Sequence, residues 1–228
     1  METDRPSSAG ERAEIAWIRA SDSILRGLNH AFSNQLSLIR LLSQFVREGE
    51  VVDAELAGIA AEAAHLDVLL GHYRLLPFAA EGAPEPIRVL DVTNDALALF
   101  RYREDARDRA CTVEGDPDTS PVLLNPAALT QAVTLLLCAA ARMAGQGSGA
   151  DALVLRYGGD AEWVRVAVEV RAPTPPALSG DPPEIAAVRW LIRDAEGSTE
   201  VAKTPSGGSS VGIRIGTLRR LRQRAPGA

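Results

Sequence analysis

The sequence predicts an α+β protein in two parts, a helical hairpin followed by an α/β sandwich. Three observations carry the prediction. Apolar residues recur at helical spacing through residues 11–48 and again through 53–75, and neither stretch contains a proline. A segment rich in proline, alanine and acid, PFAAEGAPEP at 77–86, then interrupts the pattern as a linker. Beyond it, from residue 87 to 222, short strand-like runs alternate with helix-like ones.

The first ten residues, METDRPSSAG, are polar, lack the apolar stretch of a signal peptide and are expected to form a disordered tail. A helical hairpin domain then spans residues 11–76. In its first helix, heptad position a at Ile18, Leu25, Phe32, Ile39 and Val46 places Leu28 and Leu42 at d. REGEVVD breaks this seam as a short turn, and the second helix repeats it through Leu56, Ile59, Ala63, Leu66, Leu70 and Tyr73. A two-helix hairpin cannot cover both apolar stripes by itself. The expected cover is a second copy of the chain, giving a dimeric four-helix bundle; the alternative cover is the chain's own second part.

After the linker, IRVLDVTNDALALFRYRED reads as a short strand entering a helix, and ACTVEG and PVLL read as strands. NPAALTQAVTLLLCAAARMAG reads as a buried helix, with Asn125 as N-cap and Pro126 in the first turn. DALVLRYGGDAEWVRVAVEVRA alternates like a hairpin turning near Gly158 and Gly159. PPEIAAVRWLIRDAEG is a further helix ended by Gly197, and STEVAK and SSVGIRIGTL close the fold as strands. Such strands form a mixed sheet with helices on one face.

Composition narrows the function classes. The 46% apolar fraction is that of a globular chain, and 228 residues suit one or two modest domains. A formal charge of -6 argues against a general nucleic-acid binder, which needs a basic surface. Cys111 and Cys138 belong to no CxxC or Cys/His cluster, so no zinc site or disulfide framework is expected and a reducing cytoplasm fits. No apolar run is expected to span a membrane. His65 and His72 stand one heptad apart on the second helix, but with no carboxylate or cysteine assigned beside them they suggest no metal site.

The chemistry-bearing stretch is LRGLNHAFSNQLSLIRLLSQFV, residues 25–46. With Leu25 and Phe32 at a, His30 falls at f, the point farthest from the seam, together with Ser37 and Gln44. Ser33, Asn34 and Arg40 flank that row at b and c, and small side chains leave the imidazole approachable by a second protein. Imidazole titrates near neutral pH, so much of it is available as a nucleophile. That suits exchange with an aspartyl phosphate, where positioning and charge neutralisation supply most of the catalysis.

The pattern HAFSNQLSLI resembles the H-box of sensor histidine kinases. The resemblance implies that His30 is the phosphoacceptor, that Asn34 matches the amide often found four residues on, and that Leu36 and Ile39 occupy buried positions. The order of parts is also similar: histidine-bearing helix, second helix, linker, then a domain like the kinase ATP-binding domain.

Where the family carries two magnesium-binding asparagines, in residues 129–143, this chain has Leu135 and Ala139, which cannot coordinate a hard cation. The Asp-x-Gly-x-Gly that reads adenine is replaced by VEVRAPTPPALSG, and the glycine-rich lid is shortened to DPPEIAAV. SGGSSVGIRI, residues 206–215, does resemble the family's closing glycine turn and strand. Ala31 replaces the acidic residue that commonly follows the histidine and can act as a base.

The resemblance and its departures together imply a cytoplasmic histidine phosphotransferase, similar to phosphotransferases that look like degenerate histidine kinases. It would bind no cofactor of its own, since a partner receiver domain brings both its aspartate and Mg2+. Expected partners are response-regulator receivers, a second copy and a hybrid histidine kinase, with neither nucleic acid nor membrane. Arg26, Ser33, Asn34, Ser37, Arg40 and Leu41 would form the docking surface around His30, Arg26 and Arg40 adding positive charge. Two alternatives stay open: a pseudokinase that regulates by binding alone, and an active kinase.

Overall fold

The computed structural model describes residues 8–48, 52–79, 82–107, 109–144, 152–171, 182–204 and 208–224. Residues 1–7 of the expected tail, residues 49–51 of the REGEVVD turn, residues 80 and 81 of the linker, the stretch APTPPALSG and residues 205–207 lie outside the described residues.

Helix α1 runs from Ala9–Glu48. It starts two residues before the expected boundary because Ser8 and Glu11 form a reciprocal cap. The Glu11 amide donates to Ser8 Oγ at 3.2 Å, and the Ser8 amide donates to the Glu11 carboxylate at 2.6 Å. Helix α2, Val52–Tyr73, returns along it to complete the hairpin.

The stripe that α1 buries is rotated from the expected heptad seam. Ala13, Ala16, Trp17, Ala20, Ile24 and Leu28 are buried, whereas Ile18, placed at position a, is 53% exposed. The first half of α1 lies on the second part of the chain, mainly on helix α5, Pro183–Leu191. Three alanines at helical spacing let the two helices approach closely, and the Trp17 indole N–H donates to Leu76 O at 2.7 Å. The chain's own second part therefore covers this half of α1. Farther along the hairpin, Leu36, Leu38, Leu41, Phe45, Leu56, Val68 and Leu70 remain exposed. On α2 the buried side chain is Leu69, outside the expected pattern, while Leu56, Leu70 and Tyr73 face solvent.

The second part is α+β. Strand β1, Glu85–Ile87, pairs antiparallel with β3, Val122–Leu124, as a separate two-stranded sheet. Between them lie α3, Val89–Arg101, and β2, Cys111–Gly115. Helix α4, Pro126–Ala144, opens with the expected Asn125 cap, whose Oδ1 accepts from the Ala127 amide at 3.0 Å. Strands β4, Ala152–Gly159, and β5, Trp163–Arg171, follow, then α5, β6 at Ser198–Lys203, β7 at Ser209–Gly216 and α6 at Leu218–Arg224.

The five-stranded sheet has the order β2-β4-β5-β7-β6, with β2 and β4 parallel and the remaining pairs antiparallel. On β5, Val164, Val166, Val168 and Val170 are buried beneath the helices, and the intervening Arg165 and Glu169 lie on the opposite face with the buried Ala167. That outer face is laced by ion pairs, including Arg156 with Glu114 and Glu169, and Arg165 with Glu200.

One local expectation holds and one shifts. The β4–β5 turn falls at 160–162, directly after Gly158 and Gly159, closed by Asp160 Oδ1 accepting from the Glu162 and Trp163 amides at 2.8 Å each. Gly159 ends β4, where a Cβ would lie 2.0 Å from Trp163 O. Helix α5 stops at Leu191, and a 3-10 turn then leads to Glu196, whose left-handed φ of 51° precedes Gly197.

Helix α4 is long and apolar enough to cross a membrane, against the expectation of no such run. In the fold it is the central core helix, most of it buried against α3, α5 and the sheet.

Within α4, Gln131 is fully buried and fixes the linker. Its Nε2 donates to Leu75 O at 3.0 Å and Pro77 O at 2.6 Å, and its Oε1 accepts from the Ala79 amide at 3.1 Å. Phe78 stacks on Trp190 of α5, with centroids 5.4 Å apart. The described part of the 77–86 segment is thus clamped to the second part rather than free.

Candidate functional site

His30 lies on the exposed side of α1, one turn beyond Gly27. Gly27 faces the second part, where an added Cβ would fall 1.8 Å from the carbonyl oxygen of Tyr102, the residue capping α3. The hydroxyl of Tyr102 is 3.2 Å from Nδ1 of His72 on α2, the two rings tilted at 59°. Tyr102 therefore ties both hairpin helices to α3 beside the histidine. Burial moves His72 below the ordinary imidazole value, with Asp95 opposing the shift.

A groove of about 270 Å³ opens at this junction. Ser23, Arg26, Gly27 and His30 line it from α1, and Tyr102, Glu104 and Arg107 line it from the segment after α3. Asn34 Nδ2 stands 3.5 Å from His30 Nε2, a long and weak contact that incoming atoms can displace. Arg26 forms an ion pair with Asp22 at 2.9 Å, both side chains largely exposed.

The fold thus brings Arg26 and Asn34 to His30. Ser33 and Ser37 are exposed on the same side, but their hydroxyls donate to Asn29 O at 2.9 Å and Ser33 O at 2.8 Å. Arg40 and Leu41 are exposed about 15 Å farther along the helix axis and do not line the groove. Leu36, assigned to a buried position by resemblance, is 57% exposed in the single chain. Tyr102, Glu104 and Arg107 escaped the sequence reading because no local pattern connects them with His30. An imidazole so displayed can offer one ring nitrogen as a nucleophile to a partner's surface.

The positions aligned with the kinase asparagines, Leu135 and Ala139, are each 0% exposed within the core. Their side chains offer no oxygen to a cation. A larger cavity, about 520 Å³, lies between the first turns of α1 and helices α4 and α5. Two of its arginines are already engaged, Arg103 with Asp105 and Arg142 with Glu184. Carboxylates do stand near the other histidines, contrary to the sequence expectation: Glu62 is 3.3 Å from His65 Nδ1, and Asp95 acts on His72. Among the described residues, no three metal-ligating side chains of the His, Cys, Asp or Glu type cluster.

No protein-family model matches the chain, and no curated protein matches it in sequence. Among solved structures it is similar to a histidine kinase from Burkholderia phymatum, at 16% identity and a TM-score of 0.48, covering 91% of this chain and 98% of that one. It is also similar to the catalytic domain of the histidine kinase ThkA, at 15% identity and a TM-score of 0.49, covering 60% of this chain and 98% of that one. A bacterial phosphotransferase aligns over 86% of this chain and 96% of its own, at 19% identity and a TM-score of 0.40. At these scores none of the three assigns a role to a residue of this chain.

Proposed function

We propose that the chain is a cytoplasmic histidine phosphotransferase of a two-component phosphorelay, working as a homodimer without binding ATP. The observation that carries this reading is the exposed His30 on a braced helix, with the Asn34 amide 3.5 Å from its Nε2 and Arg26 in the same groove. Nε2 attacks the phosphorus of a receiver's aspartyl phosphate. The N–P bond forms as the P–O bond to the aspartyl carboxyl breaks, and the electron pair leaves with the carboxylate. The ring proton on Nδ1 passes to water, and reversal onto a second receiver's aspartate completes the relay. Asn34 would donate to a phosphoryl oxygen on the ring, and the receiver would contribute its own Mg2+.

Arg40, Leu41, Ser33 and Ser37 belong to the same reading as docking residues farther along the exposed face. Response-regulator receivers and a hybrid histidine kinase are the proposed partners. The second copy would cover the apolar rows left exposed on the hairpin, which two-helix packing cannot bury. The buried Leu135 and Ala139 support the exclusion of ATP.

The test is transfer from a purified receiver domain phosphorylated with acetyl phosphate to the wild-type chain and to His30→Ala. Label is expected on the wild type alone. Equal labelling of the variant, or none of either protein, would reject phosphotransfer through His30; binding of the receiver without labelling would favour the pseudokinase regulator. Micromolar ATP affinity would reject the ATP-independent reading.

A further inference from the structure

We propose that Arg107 is a phosphoryl-binding guanidinium of this site, so that the second part of the chain supplies a cation to the group carried by His30. The inference rests on the phosphotransfer reading. It starts from the groove, whose lining is shared between α1 and the segment that follows α3.

Two guanidiniums line that groove. Arg26 is matched by Asp22 at 2.9 Å, one turn back on the same helix. Arg107 is exposed and its side chain forms no ion pair with another described residue. Glu104, also in the lining, has its carbonyl 3.5 Å from the Arg107 amide across a 3-10 turn. Asp22 offsets part of the Arg26 charge and the Glu104 carboxylate also lines the groove, so Arg107 is the groove arginine with no ion pair among the described residues.

Its position is set before any partner arrives. The Tyr102 carbonyl is seated against Gly27, three residues from His30, and the Tyr102 hydroxyl is held near His72. Arg107 follows five residues later, after the single turn Glu104–Ala106. The segment bearing the guanidinium is thus anchored to the helix bearing the nucleophile.

The chemistry asks for such a group. As the N–P bond forms and the P–O bond breaks, the three nonbridging oxygens remain anionic in the aspartyl phosphate, the transition state and the phosphohistidine. A planar fork of donors can hold two of them at once in either direction of transfer. Placed on the histidine side, it stays with the phosphoryl group after the receiver's cation has left.

The test uses the full chain as wild type, His30→Ala, Arg107→Ala and Arg107→Lys. Label is followed from an acetyl-phosphate-charged receiver and, with no receiver present, from phosphoramidate. Arg107→Ala is expected to slow both reactions about tenfold or more, with an unchanged thermal melt, and Arg107→Lys to recover part of the rate. Wild-type rates for Arg107→Ala, with His30→Ala unlabelled, would overturn this inference and leave the phosphotransfer reading standing. Slowed receiver transfer with normal phosphoramidate labelling would also overturn it, making Arg107 a docking residue. An unlabelled wild type, or an equally labelled His30→Ala, would reject the phosphotransfer reading and this inference with it.

Discussion

Gly27 on α1 and Tyr102 at the end of α3 meet backbone to backbone: the glycine leaves no room for even a methyl group, whose carbon would lie 1.8 Å from the tyrosine carbonyl oxygen. This contact joins the two parts of the chain beside His30. Gly27→Ala should force them apart, costing about 1–3 kcal/mol in urea denaturation. It should also slow labelling of His30 more than a substitution of Gly71, around which nothing lies within 4 Å.

His72 should cost the fold stability in mild acid. Burial holds His72 below its ordinary value, so the unfolded chain binds the proton more readily and stability is lost as pH falls through about 6.5. Asp95 works in the opposite sense in a lower window. Burial raises its carboxyl, His72 partly reverses this and Asp91 adds to it, so Asp95 returns stability as pH falls toward ordinary carboxylate values. Urea midpoints should therefore drop between about pH 7.5 and 5.5, and His72→Gln should flatten that slope.

Gln131→Ala would leave the Leu75 and Pro77 carbonyls and the Ala79 amide without their side-chain partner. The expected cost is about 3 kcal/mol in chemical denaturation. Protease sensitivity should rise first within residues 77–79. An unchanged midpoint would show that water replaces the amide without loss.

Leu38 and Phe45 are exposed one heptad apart on α1, and Leu56, Ala63 and Leu70 repeat at sevens on α2. If these rows close a bundle of two chains, Leu38→Glu with Phe45→Glu should convert a dimer to a monomer in light scattering, with little change in helix content. Wild type that scatters as a monomer at all concentrations would reject the bundle.

Both thiols should resist alkylation in the folded protein. Burial pushes Cys138 up to about 12 and Cys111 up to about 11, opposed in each case by a nearby arginine. Iodoacetamide at about pH 8 should label neither within the time that labels both in denaturant.

Much of this architecture was legible in the sequence because periodicity reports which face of an element is apolar. The two long helices, the capped α4 and the β4–β5 hairpin follow from that rule. The docking of α1 on α5 did not, because Ala13, Ala16 and Ala20 are too small to mark a hydrophobic seam yet suit close helix contact. Gln131 did carry a signal, a lone amide among the apolar residues of α4, but its partners depend on how the linker folds back. His30 is exposed as expected, although the heptad phase behind that expectation is not the one α1 uses, since Ala16, one of its outward positions, is buried. The groove neighbours of His30, Tyr102, Glu104 and Arg107, could not be read from the sequence, since tertiary packing alone unites them.

The clamped linker has a thermodynamic consequence for recognition. Hairpin and second part meet a partner as one preorganised surface, with most of the ordering entropy already spent during folding. Docking should then show a heat-capacity change matching the contact area alone, and an association rate limited by encounter rather than by rearrangement.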